Sequence, residues 1–194
     1  MSPHIVLASS SAGRRELLSR LQIPFSAVSP DVDETAYDNE PPPALAERLA
    51  RAKAEAVAAE YPQSIVIGSD QVADVDGTAV GKPGSLDAAR QQLRAQSGRL
   101  VLFHTSVAVA APDLSESRVA LETVKTTFRP LTDAQIEAYI QAEDPTQTAG
   151  TLKSEGLGIT LLAAVESSDP STLIGLPLIQ LTDLLSERGI SLPS

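Results

Sequence analysis

Short apolar runs of strand length alternate with segments of helical periodicity along this chain of 194 residues. Such an order is typical of α/β proteins, in which helices cover the faces of a sheet. We therefore predict one α/β domain over residues 1–194, with strands at 4–8, 23–28, 64–72, 100–111, 117–128 and 158–165 and helices at 12–21, 44–60, 86–96, 132–142 and 176–188.

Local signals refine this outline. Asp76-Gly77 predicts the tight turn of a hairpin within residues 72–81, because this dipeptide suits the left-handed backbone of such turns. The strands on either side of Pro112-Asp113 are predicted to be antiparallel neighbours, and Thr132 is predicted to cap a helix. We expect residues 86–143 to form a smaller lobe, with a cleft between it and the rest.

The charge balance is acidic, with a net charge of −10 and a pI near 4.6. This disfavours a nucleic-acid-binding surface, although a small anion can still bind where cations are concentrated locally. The absence of cysteine excludes disulfides and thiolate metal sites and is compatible with a reducing compartment. No apolar run approaches the roughly 18 residues that span a bilayer, and no secretory signal pattern is present, so no membrane partner is expected.

Three serines, Ser9-Ser10-Ser11, join the first predicted strand to the first helix. Ser11 suits an N-cap, and the free N–H groups of a helix start attract anions. Arg14 shares the apolar side of this helix, although a cation in the first turn opposes the helix dipole. An anionic ligand would explain that placement; the alternative is an ion pair between Arg14 and a nearby carboxylate.

Two acidic positions follow predicted strands. The apolar residues 65–68 run into Ser69-Asp70-Gln71, and ligands in α/β folds gather at the carboxyl ends of such strands. Asp70 is therefore a candidate metal ligand or proton acceptor for an attacking water, unless it caps a turn. The carboxylates of Asp31, Asp33 and Glu34 could hold Mg²⁺ or Mn²⁺; a solvated acidic loop is the alternative.

Lysine is rare, with four lysines among 15 basic residues, which suggests that some positions need a compact ammonium group. Lys53 lies at the edge of an apolar helix stripe, where it either extends past the core to solvent or reaches into a cleft. Lys82 precedes Pro83, so it lies on extended backbone that suits a phosphate contact.

A glycine-rich segment at residues 149–158 carries Lys153 and Glu155. Three glycines within it predict a loop that approaches a ligand closely. Glu155 either faces that ligand or pairs with Lys153 or a neighbouring arginine as a structural contact.

Together these segments resemble the Maf family of nucleoside triphosphate pyrophosphatases, and most closely its subgroup that acts on 7-methyl-GTP. The resemblance covers nearly the whole chain in the family's order. It rests on Lys53 and on residues 7–15 (LASSSAGRR), 32–35 (VDET), 68–71 (GSDQ), 81–83 (GKP), 149–156 (AGTLKSEG) and 171–177 (STLIGLP).

The resemblance implies a role for each matched residue. Asp70 would be the general base, and Glu34 and Asp70 would hold a divalent metal cation, Mg²⁺ or Mn²⁺. The other implied roles are phosphate binding by Ser9, Arg14, Lys53 and Lys82, and substrate choice by Gly13, Gln71 and Glu155.

It also implies an elongated mixed twisted sheet flanked by helices, with two lobes and a deep cleft, as in inosine triphosphatases. Members of the family are cytoplasmic and often homodimeric. The chain departs from the family at two positions, with Ala12 in place of a usual proline and Gly13 where the 7-methyl-GTP subgroup often has a large aromatic residue. Dispersion contact with a methylated purine would then have to come from elsewhere.

The expected reaction is attack of water on the α-phosphorus of a nucleoside triphosphate, with release of pyrophosphate. Glu155 offers two acceptors to the two adjacent donors on the guanine edge, whereas a glutamine suits uracil or thymine better. The alternatives are a pyrophosphatase for pyrimidine or damaged triphosphates and a non-catalytic nucleotide-binding regulator of growth or division.

Overall fold

The computed structural model describes residues 4–112 and 115–193. Within them, one seven-stranded sheet has the order β2-β1-β3-β5-β6-β7, and β4 pairs with β3 beside this path. The strands are β1 (Ile5–Ala8), β2 (Phe25–Val28), β3 (Ile65–Val75), β4 (Thr78–Val80), β5 (Leu100–Ala110), β6 (Arg118–Phe128) and β7 (Leu162–Glu166).

Helices cover both faces of this sheet. They are α1 (Ala12–Ser19), α2 (Pro42–Glu60), α3 (Leu86–Gln96), α4 (Asp133–Glu143) and α5 (Leu178–Ser186), with short 3₁₀ turns at Pro145–Gln147, Ala149–Thr151, Leu157–Leu161 and Thr172–Ile174. The predicted α/β class is confirmed. None of the described helices combines the length and apolar character required to cross a membrane.

The sheet is mixed because β1 is parallel to its neighbours β2 and β3, whereas all the other pairs are antiparallel. Alternate residues of the central strands pack on opposite sides. Leu7 and Ile67 contact the layer formed by α1 and α5. Val6 and Val66 face α2 on the other side.

Asp70 lies inside β3, not at its end. The prediction that this strand ends at residues 69–71 is wrong, because β3 pairs with β5 as far as Asp74. The parallel partner β1, however, ends with Ala8 opposite Gly68. Asp70 therefore emerges just beyond the parallel part of the sheet, where the departing β1–α1 loop leaves a gap.

Gly68 is the point where α2 meets β3. A Cβ atom on Gly68 would lie 2.3 Å from the carbonyl oxygen of Ala50 and 2.6 Å from the amide nitrogen of Ala54. The buried helix face consists there of small residues, including Ala46. Because side chains two residues apart on a strand share a face, this contact also brings α2 over Asp70.

Most of the finer predictions are confirmed. Residues Asp76 and Gly77 join β3 to the antiparallel β4 with positive φ angles of 53° and 82°, and Thr132 caps α4 by accepting a hydrogen bond from the amide of Gln135. Strands β5 and β6 are antiparallel neighbours. The connecting residue Asp113 lies outside the described part of the chain.

The predicted last strand begins too early. Residues Leu157–Leu161 form a 3₁₀ turn, and β7 starts only at Leu162. The backbone folds back here, since a Cβ atom on Gly158 would lie 2.4 Å from the carbonyl oxygen of Lys153. An apolar run with one glycine does not distinguish such a turn from a strand.

Replacing Gly68 with alanine is expected to lower the free energy of unfolding by about 1–3 kcal/mol, because the backbone of α2 must move away from β3. Urea denaturation followed by circular dichroism measures this change. Gly81→Ala is the matched control, since a Cβ atom at Gly81 meets nothing within 4 Å; its effect should stay within about 0.5 kcal/mol. Equal stability of Gly68→Ala and the wild type would contradict the close contact.

Candidate active site

A cleft of about 610 Å³ opens at the gap beyond the end of β1. One wall is the β1–α1 loop, and the opposite wall is formed by the segment from Gln147 to Glu155. Its floor contains Asp70 and Gln71 of β3 together with Lys53 of α2. The cleft therefore gathers residues that are far apart in the sequence.

Lys53 is the centre of an ion cluster in this cleft. Its ammonium nitrogen lies 2.5 Å from Oδ1 of Asp70 and 2.6 Å from Oε1 of Glu34. Lys53 is 5% exposed and Asp70 is 7% exposed, so both charges depend on each other for compensation. Lys53 thus reaches into the cleft, and Asp70 does not cap a turn.

Glu34 extends the cluster toward solvent. Partial burial is the largest single influence and raises the pKa of Glu34, but hydrogen bonds and charges from Lys53 and Lys82 together bring that pKa below its ordinary value. The ammonium of Lys82 lies 3.4 Å from Oε2 of Glu34 and is itself exposed. Glu34 is therefore held ionised between two cations, one buried and one exposed.

Arg14 lies on the other side of the cleft. Its Nε donates a hydrogen bond of 2.8 Å to the carbonyl oxygen of Gly175. Burial lowers the pKa of Arg14, against the opposing influence of the Asp70 and Glu34 charges. No carboxylate in residues 4–112 and 115–193 forms an ion pair with Arg14. The alternative of a structural ion pair is therefore not observed.

The start of α1 faces the same space. Ser11 accepts a hydrogen bond of 3.3 Å from the amide of Arg14, as expected of an N-cap. The hydroxyl of Ser9 is buried and accepts a bond of 3.1 Å from the amide of Ser11. This loop thus places hydroxyls and a helix start at the cleft, an arrangement that favours an anion.

Glu155 and Gly13 border the far end of the cleft. A Cβ atom on Gly13 would lie 3.9 Å from Oε1 of Glu155 and 3.4 Å from Cγ2 of Ile174. Glu155 is exposed, and the ammonium of Lys153 donates instead to the backbone carbonyl of Glu143. The alternative that Glu155 pairs with Lys153 is therefore not observed.

Gln71 lines the cleft, but its amide nitrogen is directed into the wall. It donates to the hydroxyl of Thr105 at 2.9 Å and to the carbonyl oxygens of Thr172 and Leu173 at 3.1 Å each. Neither Thr105 nor the Gly175 carbonyl oxygen was predicted from the sequence as a hydrogen-bond partner of the cleft residues. One signal was present, since the polar run His104-Thr105-Ser106 interrupts an otherwise apolar strand.

A divalent cation would find two carboxylates here. In the described part of the chain no group of three or more His, Cys, Asp or Glu side chains converges as a ready metal site. Mg²⁺, however, is commonly bound by one or two carboxylates plus substrate phosphates. The convergence of Asp70 and Glu34 on one ammonium group shows that both carboxylates face the same cation-binding space, which fits such a shared site.

The chain is similar to known proteins over nearly its whole length. Residues 4–188 match the family model described as Maf-like protein. The 7-methyl-GTP pyrophosphatase of Bordetella pertussis is 55% identical over 188 residues, covering 97% of this chain and 94% of that protein. The 7-methyl-GTP pyrophosphatase of Xanthomonas campestris pv. campestris is 52% identical over 193 residues, covering both chains fully.

Solved structures share the fold at low sequence identity. The Ham1 protein of Staphylococcus aureus superposes with a TM-score of 0.50 at 22% identity, covering 66% of this chain and 72% of that one. A HAM1 protein from Coxiella burnetii gives a TM-score of 0.50 at 15% identity, covering 95% and 99%. Because the family model matches residues 4–188 of the chain, the chain belongs to the Maf family.

Proposed function

We propose that the protein hydrolyses 7-methyl-GTP to 7-methyl-GMP and pyrophosphate, with Asp70 as the general base. The observation that carries this proposal is the buried contact of Lys53 with Asp70 and Glu34 inside a cleft edged by Arg14 and Lys82. Relatives with more than half of their residues in common bear the name of this activity.

The cations of the cleft suit a triphosphate. Charge accumulates on the leaving pyrophosphate as the bond breaks, so positive groups must surround it. Arg14 and the start of α1 line the cleft together with Lys53 and Lys82. Ser9 adds a hydroxyl at the end of β1.

Asp70 is proposed to accept the proton of the attacking water. Lys53 binds its Oδ1 atom, which leaves the second oxygen, Oδ2, as the acceptor. In the proposed step the water oxygen forms a bond to the α-phosphorus and its proton passes to Asp70. The bond from the α-phosphorus to the bridging oxygen breaks, and pyrophosphate departs with that electron pair.

A divalent cation, Mg²⁺ or Mn²⁺, is proposed as the cofactor. Glu34 and Asp70 would hold it together with phosphate oxygens, and when bound it would neutralise charge that develops on the phosphates. The ammonium of Lys53 contacts both of these carboxylates.

Glu155 is proposed to select the base. Its exposed carboxylate lines the cleft beside Gly13. Two carboxylate oxygens can accept the N1–H and N2 amino donors of guanine, and N7-methylation adds positive charge that favours a nearby anion. A base with acceptors on this edge would oppose them to the oxygens of the Glu155 carboxylate, which disfavours its binding.

Substituting Asp70 by asparagine is expected to lower kcat by about a hundredfold or more, because the amide cannot accept the proton. Binding of a non-hydrolysable α,β-methylene analogue of 7-methyl-GTP, measured by calorimetry, should remain within a few-fold of wild type. Asp183→Asn, an exposed change on α5, is the control. Near-normal turnover in Asp70→Asn would remove Asp70 from the proposed role.

Glu155→Gln is expected to lower kcat/KM for 7-methyl-GTP by about tenfold or more, and to lower it less for UTP. The reason is that one acceptor for the guanine edge becomes a donor. Steady-state assays on both nucleotides measure the ratio, and Glu166→Gln on the exposed part of β7 is the control. Equal losses on both substrates would show that Glu155 does not contact the base.

A panel of triphosphates with and without Mg²⁺ or Mn²⁺ tests the reaction itself. We expect metal-dependent release of pyrophosphate, fastest with 7-methyl-GTP. Fastest release from UTP or dTTP would identify a pyrimidine pyrophosphatase of the same family. Binding without release at saturating metal would identify a nucleotide-binding regulator.

A further inference from the structure

The cleft lacks an obvious surface for a planar base. No aromatic side chain in the described part of the chain lines it, and Gly13 contributes no side chain at the end next to Glu155. Glu155 can meet the edge of a base but offers nothing to its face. A purine ring bound by its edge alone would leave its apolar faces in water, which forgoes most of the available contact area.

Ile174 is the side chain that fits this need. Three branched aliphatic residues line the cleft, but Leu152 and Leu173 are buried in the core at 3% and 8% exposure. Ile174 is only partly buried and so keeps apolar surface facing the cleft. Ile174 also lies near the carboxylate of Glu155, because a Cβ atom on Gly13 would approach both Ile174 and Glu155 within 4 Å.

The backbone that carries Ile174 is held from three directions. From β3, the amide nitrogen of Gln71 donates to the carbonyl oxygens of Thr172 and Leu173. From β5, the buried hydroxyl of Thr105 donates to the Thr172 carbonyl at 3.1 Å.

On the far side of Ile174, the Gly175 carbonyl completes the support. It accepts bonds from Ser69 at 3.0 Å and from Arg14 at 2.8 Å. The two residues before Ile174 and the one after it are therefore fixed, and the position of its side chain is fixed with them.

We propose that Ile174 is the surface on which the base lies, and that Gln71 influences substrate choice as a positioning residue that holds Ile174 in place. This inference rests on the proposed function and names the base-binding surface of that same site. Gln71 does not need to contact the base, since both of its amide hydrogens are directed to the wall. A methylated guanine would lie with one face against Ile174 and its edge toward Glu155.

The first test removes the apolar side chain of Ile174 and then adds an apolar side chain at position 13. Ile174→Ala is expected to raise KM for 7-methyl-GTP about tenfold with a smaller change in kcat, because apolar contact with the base is lost. Gly13→Leu in the Ile174→Ala background should recover part of this loss, since a side chain at position 13 extends toward the vacated space. Ile179→Ala, an exposed change on α5, is the matched control.

The second test separates positioning from direct contact. Gln71→Glu keeps the shape of the side chain but replaces its two N–H donors, and Thr105→Val removes the hydroxyl. Each should raise KM for 7-methyl-GTP when made alone. In the Ile174→Ala background each should have little further effect, because residues that act through one another are not additive. Gln91→Glu on the exposed face of α3 is the control for the charge change.

An unchanged KM in Ile174→Ala, or fully additive effects of Gln71→Glu and Ile174→Ala, would overturn the proposal. Calorimetric binding of the α,β-methylene analogue of 7-methyl-GTP to each variant distinguishes this failure from failure of the proposed function. If the wild type binds the nucleotide but releases no pyrophosphate, the proposed reaction fails. Weaker binding by Ile174→Ala would still support the base surface, and equal binding would overturn it.

Discussion

The ammonium group of Lys53, placed between the carboxylates of Asp70 and Glu34, is the interaction around which the cleft is organised. Three segments from different parts of the chain meet there: α2, the middle of β3 and the loop that follows β2. Burying such charges costs desolvation energy that the ion pairs only partly return. These charges lie in a cleft at a point where apolar side chains could have been packed instead. A role in the reaction therefore explains them better than a contribution to the free energy of folding.

The surrounding fold fixes this cluster by backbone contact. Because Gly68 has no side chain, α2 lies closer to β3 than a larger residue at this position would allow. This close contact brings Lys53 of α2 over Asp70. The early end of β1 opposite Gly68 leaves space for the start of α1 beside the cluster. Groups suited to binding phosphate thus line the cleft with Asp70, while Glu155 and Ile174 line it next to Gly13, where the base is proposed to lie.

Asp70 and Lys53 could be predicted as cleft residues because their signals are local: polar residues that follow an apolar run, and a lysine in a chain that mostly uses arginine. The family pattern added Ser9, Arg14, Glu34 and Lys82, all of which line the cleft. The bonding of Gln71 could not be predicted, because its acceptors lie 34 to 102 residues further along the chain. The full length of β3 was missed for the same reason, because pairing with β4 and β5 extends it to Val75.

If the cluster of Lys53, Asp70 and Glu34 directs water to the α-phosphorus of a nucleoside triphosphate, the position of the oxygen from that water identifies the attacked phosphorus. The decisive measurement is hydrolysis of 7-methyl-GTP in water enriched in heavy oxygen, with mass spectrometry of both products. We expect the label in 7-methyl-GMP and none in pyrophosphate, because the new bond forms at the α-phosphorus. Label in pyrophosphate would show attack at the β-phosphorus and would contradict the placement of Asp70 beside the α-phosphate.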